Sequence, residues 1–390
     1  MRAANALFFL FKISTLNTTF MKKLILFFSF TILLTSCSSD SSQGQSDQYD
    51  RGTMLQNWAN NLIVPAIQNY DQKLAALKTA TVNFTSEPTT SGLEDLRSAW
   101  FEAYKAYQYS AMYNIGKAEE LQFTKFCNTY PTNTTLITTK IGNGDVTLEG
   151  PGNDVAQGFP ALDYLLFGLS DTDVLSFYTE NALANNYKSY LTAVVDKLVN
   201  LNSAVLNDWN GSFKNTFISK TDNSATGSVN KMVNAYVQYF ERDVRTGKVG
   251  IPAGRFSTAP LPEKVEGFYS KVYSRELLLN GLQASWDFFN GKHFNATTKG
   301  PSLASYLDFL KTQGYGSDSE TPLSEVMDNQ YSQAYTAIMD MQENLYQQVL
   351  TDNNKMLTAY DKMQRNVTYM KTDMMSAMSI SVDYVDTDGD

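Results

Sequence analysis

The sequence predicts an all-α protein, and three observations carry that prediction. Apolar residues recur at intervals of three and four through most of the chain, as one buried helix face requires. Glycine, proline and small polar residues cluster between these segments, where helices must stop. Near the end, Met356, Met363, Met370, Met374 and Met378 keep the spacing of a single helix face.

Taken in order, the first helical patterns fall between residues 50 and 119. Trp58, Leu62, Ala66, Ile67, Tyr70, Leu74 and Leu77 form one stripe; Leu93, Leu96, Trp100, Tyr104, Tyr107, Ala111 and Ile115 form another. The segment from Thr85 to Gly92 reads as the loop between them, and Pro65 predicts a kink because it removes a backbone donor. Residues 128–158 lose the period, with turn signals at Gly142-Asn143-Gly144-Asp145 and Gly150-Pro151-Gly152-Asn153. So long an irregular stretch points to function. Residues 159–167 predict a short apolar helix stopped by Gly168, followed by helices over 187–209 and 232–243. The stretch from Gly247 to Gly254, with Pro260 and Pro262, reads as the seam between two halves, 50–250 and 251–390. Helices are expected beyond it over 262–290, 303–312, 323–350 and 353–379. The methionine stripe reads as core filling, with a copper-binding set as the sharper alternative.

Residues 1–37 predict export. Met21-Lys22-Lys23 supplies a charged start, and the apolar run from Leu24 to Leu34 is short for a membrane span. Leu34-Thr35-Ser36-Cys37 resembles the lipobox of bacterial lipoproteins, which makes Cys37 the expected lipid attachment site. Met21 reads as a more natural start than Met1. Residues 38–49 form a polar tether. The expected location is therefore the bacterial cell envelope: a lipid-anchored protein of the outer membrane, turned to the periplasm or the cell surface.

The formal net charge is −9; the first 36 residues hold four basic and no acidic side chains, so the part from Cys37 carries −13. An acidic surface argues against nucleic acid as a partner and is compatible with collecting cations. With Cys37 lipidated, Cys127 has no intrachain partner and reads as a core thiol. His293 is the single histidine, so a zinc centre would rest almost wholly on carboxylates. Phosphate-cradling glycine loops and the motifs of serine and zinc hydrolases are absent, which leaves nucleotide binding without support.

Two further segments carry chemistry. The run Gly158-Phe159-Pro160-Ala161-Leu162-Asp163 reads either as a capped core helix or as part of a ligand pocket. Asp386, Asp388 and Asp390 around Gly389 read as a solvated acidic end or a weak divalent site, and residues 380–385 alternate as a pairing strand would.

The residues Ala99-Trp100 through Gly116, Gly158 to Gly168, Gly247 to Pro252 with Pro260, Val265-Glu266, Tyr269-Ser270 and the Asp386 to Asp390 ending together resemble the imelysin family, the M75 peptidase-like or insulin-cleaving membrane protease family. The resemblance implies two similar four-helix bundles whose shared interface holds the site. It also implies a Gly-x-His-x-x-Glu signature, which here has Pro160 for histidine and Asp163 for glutamate. A companion helix of the family carries arginine, glutamate and arginine where Tyr104, Ala111 and Asn114 fall. Proline can neither ligate metal nor move a proton, so the resemblance points to binding over hydrolysis, with an M75-type metallopeptidase as the alternative. The implied pocket is lined by Tyr104, Tyr107, Asn114, Asp163 and Tyr164, faced by Glu266, Tyr269 and Ser270. Such a set would suit a polar or glycan-like ligand, or a divalent or ferric cation on Asp163 and Glu266, as in iron uptake. Uptake-system or other envelope proteins are the expected partners, and a purely protein-interaction role is the third reading.

Overall fold

Capping side chains set where the first helices begin. Asp50 accepts the Thr53 N–H (2.9 Å) ahead of α1 (Arg51–Asn57), and Thr89 accepts the Gly92 N–H (3.1 Å) ahead of α3 (Thr90–Ser110). Between them α1 passes through a π-helical turn (Trp58–Ile63) into α2 (Val64–Ser86). That turn replaces the expected kink: Pro65 enters the first turn of α2, where its missing N–H leaves little unpaired. The computed structural model describes residues 48–170, 173–314 and 321–384. The expected lipid site at Cys37, most of the tether and the acidic end at Asp386, Asp388 and Asp390 lie outside the described residues.

The remaining principal helices are α4 (Phe123–Asn128), α5 (Thr134–Gly142), α6 (Gly158–Asp163), α7 (Ala184–Asp208), α8 (Ser228–Gln238), α9 (Ser274–Phe289), α10 (Leu323–Met339) and α11 (Asn353–Thr368). Helix α2 packs against α3 and α7, whereas α11 packs against α10 and a π-helical segment (Tyr239–Gly250) that continues α8. Contacts between α9 and α3 join the two groups, and one hydrophobic cluster runs through both. From Tyr49 onward the described residues belong to one compact unit. The fold is all-α: only isolated bridges, Lys292 with Lys299 and Gln313 with Pro322, break the helical pattern among the described residues. No helix there is long and apolar enough to cross a membrane.

Several sequence expectations change. The aperiodic stretch contains α5, started by Asn133 capping Leu136 (2.9 Å) and anchored by buried Ile137 and Ile141. Two apolar residues are too few to give a visible period. Gly247 to Gly250 lies inside the π-helical segment, so the chain turns only after it. The helix expected over 262–290 starts at Ser274; a 3-10 turn (Pro262–Lys264) and irregular backbone precede it, placing Glu266, Tyr269 and Ser270 outside any helix. The pattern over 323–350 breaks after Met339 and resumes in a short helix (Leu345–Thr351). Residues 380–384 form no strand; the Asn234 side chain takes the place of one, donating to the Ser381 carbonyl (3.1 Å) and accepting the Asp383 N–H (2.9 Å). All five methionines of the terminal stripe are buried, as core filling demands.

Candidate functional site

The Gly158-to-Gly168 segment is locked in place by its own backbone needs. Gly158 has φ +76°, and a Cβ there would lie 2.3 Å from the Cys127 carbonyl oxygen, so only glycine lets α6 approach α4 this closely. Pro160 falls in the first turn of α6, where an absent N–H costs little. A π-helical turn (Tyr164–Gly168) follows, and its carbonyls find partners elsewhere. Arg97 donates to Leu166 through Nε (2.9 Å) and a terminal nitrogen (2.7 Å), and the Tyr178 hydroxyl donates to Leu165 (2.9 Å).

Asp163, at the end of α6, is buried. The Tyr269 N–H donates to Oδ2 and the Ser270 N–H to Oδ1, both at 2.9 Å. Burial pushes its carboxyl up to about 7; the two backbone donors pull the other way, and the Glu266 charge adds to the rise. Tyr164 and Tyr269 lie with ring centres 5.2 Å apart. Asp163 thus reaches across the chain to hold the loop that carries Glu266.

Glu266 is buried as well and is surrounded by donors. Its Oε1 accepts from Asn128 Nδ2 (2.7 Å), the Tyr104 hydroxyl (3.0 Å) and Gln108 Nε2 (3.3 Å), while Oε2 pairs with the buried Lys248 ammonium. Tyr104 and Gln108 lie four residues apart on α3 and share a face. Burial, then the Glu266 charge, hold the Tyr104 phenol well above its usual range, so it stays a donor. A carboxylate this deep is tolerable because an opposite charge and hydrogen bonds compensate its lost hydration.

A cavity of about 440 Å³ opens beside this network. Tyr107 and Gln108 of α3, with Ala111 just past its end, form one wall, and Lys125, Asn128 and Tyr130 a second. Tyr239, Arg242, Asp243 and Lys248 of the π-helical segment form the third, with Lys264 at the edge. Asp243 is open to cavity water yet enclosed by protein; desolvation pushes its carboxyl up to about 6 against the pull of Lys248, and water access tempers that push. A smaller cavity, about 160 Å³, touches Pro160, Asp163 and Tyr269 and shares Tyr130 and Pro131 with the first.

The residues expected from the sequence therefore separate. Tyr104 joins Glu266 in the buried network, and Tyr107 lines the larger cavity. Asp163, Tyr164, Tyr269 and Ser270 cluster by the smaller one. Asn114, past the end of α3, lines neither cavity. Gln108, Asn128, Arg242, Asp243 and Lys264 escaped sequence reasoning, as did the role of Lys248. Only the last had a signal, its place in the Gly247-to-Pro252 stretch.

As a metal centre the donor set is poor. Both Asp163 oxygens accept backbone N–H groups, and a cation at Glu266 would face the Lys248 ammonium. Among the described residues no group of three or more histidine, cysteine, aspartate and glutamate side chains is placed to hold a metal.

Fold and cleft together define an all-helical protein with a cavity bordered by charged side chains at the meeting of several helices. Residues 63–367 match the family model described as imelysin, Peptidase_M75, and the chain belongs to that family. Two solved structures are similar in fold. One is an imelysin-like protein from Psychrobacter arcticum 273-4, with 18% identity, a TM-score of 0.65, and 86% of this chain and 97% of the other covered. The other is a candidate iron-regulated protein A precursor from Parabacteroides distasonis ATCC 8503, with 16% identity, a TM-score of 0.69 and the same coverage of each chain. No curated protein matches the chain.

Proposed function

We propose that this protein is a ligand-binding component of the cell envelope, lipid-anchored through Cys37, that holds a small polar molecule in the cavity beside the Lys248–Glu266 pair. One observation carries the reading: a cavity of about 440 Å³, within the range of small-molecule sites, whose wall includes Gln108, Asn128 and Lys248 of a preorganised polar network. The two-bundle plan, divided at residues 250 and 251, belongs to the same proposal. The separate packing groups around α2, α3 and α7 and around α10 and α11 support it.

Hydrolysis is disfavoured by what the side chains do. Pro160 offers no proton or ligand, and Asp163 is committed to positioning the Tyr269–Ser270 backbone. The iron-regulated description of the Parabacteroides relative makes iron a cargo worth testing. The donor set suits a chelated, negatively charged form of it better than a bare ion.

Thermal-shift screening of the full-length protein tests this reading. The panel holds organic acids, phosphates, sugars, amino acids, Fe(II), Zn(II) and Fe(III)-citrate, beside an Ala111→Trp variant that fills the cavity. A saturable rise in melting temperature that the variant loses is expected. No rise with any compound, a rise that Ala111→Trp leaves intact, or turnover of a labelled peptide by the purified protein would contradict it.

A further inference from the structure

The charge of the cavity wall runs opposite to that of the chain. The protein carries a formal −9, yet Lys125, Arg242, Lys248 and Lys264 all border the cavity. Among the described residues, Asp243 in the wall and Glu266 behind it are the carboxylates placed by this cavity. Glu266 is taken by Lys248, and neither Lys125 nor Lys264 has a carboxylate partner among the described residues. Two such positive groups bordering one cavity attract anions, because their fields add across it.

A second observation comes from Gln108. Although Gln108 lines the cavity, Nε2 is engaged by Glu266 and Oε1 is buried beyond the reach of a water-sized group, so its amide leaves recognition of a ligand to the lysines. We infer that the cavity selects a small oxyanion, a carboxylate or phosphate, with the anionic group toward Lys264 and Lys125. This rests on the binding reading above and names the ligand class of that same site.

Calorimetric titration of the full-length protein with citrate, tricarballylate, inorganic phosphate, glucose 6-phosphate and glucose tests the inference. Citrate and tricarballylate share three carboxylates and glucose carries no charge, so both acids should bind more tightly than glucose. Lys264→Glu, or Lys125→Glu should that variant misfold, is expected to weaken anion binding at least about tenfold, and added salt should weaken it further. Tighter binding of citrate marks a carboxylate ligand, and tighter binding of glucose 6-phosphate a phosphate; both support the inference. Glucose binding as tightly as either anion, with no effect of Lys264→Glu, overturns the anion assignment and leaves the binding reading standing. If none of the five probes saturates, the oxyanion inference falls, while the binding reading is decided by the wider thermal-shift panel.

Discussion

Replacing Glu266 with glutamine removes a charge while keeping shape. Glutamine retains an oxygen for Asn128, Tyr104 and Gln108, so the loss is concentrated at Lys248, which becomes a buried ammonium facing an amide. Breaking a buried pair by removing one partner costs about 3–5 kcal/mol. Asp243, close enough for Lys248 to lower its pKa, supplies part of the missing negative charge, which argues for the low end, about 3 kcal/mol. With a urea m-value of about 3 kcal/mol/M, the unfolding midpoint should fall by about 1 M. Adding Lys248→Met to Glu266→Gln removes the orphaned charge and should recover at least half of that loss. A single-variant shift below about 0.3 M, or a double variant less stable than the two singles combined, would refute the view that these groups stabilise one another.

Three further predictions follow from named contacts. Asp163 has a folded pKa of about 7, above its unfolded value, so the native state holds more protons than the unfolded chain between about pH 4 and pH 7. Its contribution to stability is therefore lost as pH rises through that window, and Asp163→Asn should gain on the wild type between pH 5 and pH 8 in urea midpoints; a constant difference contradicts this. Gly158→Ala forces a side chain onto φ +76° and against the Cys127 carbonyl, so a loss of about 2 kcal/mol or more is expected by thermal unfolding, where no loss would deny the close approach. Met363→Ala, in the buried terminal stripe, should cost about 2–5 kcal/mol without creating or removing any metal affinity, whereas Cu(I) binding lost in this variant would favour the copper reading.

The sequence was most legible where burial imposes a period. The stripes through Trp58 to Leu77 and Trp100 to Ala111 became α2 and α3 with its neighbouring turn, and the methionine face became core. Legibility failed where side chains rather than periodicity decide. Asn133 starts α5 with a single hydrogen bond, and π-helical turns at Trp58–Ile63 and Tyr239–Gly250 leave the hydrophobic pattern of an ordinary helix almost unchanged. The site divided along the same line. Asp163, Tyr104 and Glu266 were reachable because a family signature marked their segments. Gln108 and Asn128 were not, since neutral amides acquire meaning only when folding brings them to Glu266. The overall acidity suggested a cation collector, while the cavity wall gathers a local excess of positive charge that no composition can show.

The most direct measurement is a crystal structure of the full-length protein grown with saturating citrate. The account predicts density for citrate in the cavity between α3 and the π-helical segment, with a carboxylate in hydrogen-bond contact with Lys264. Citrate bound elsewhere, or a cavity left to water at saturation, would contradict it.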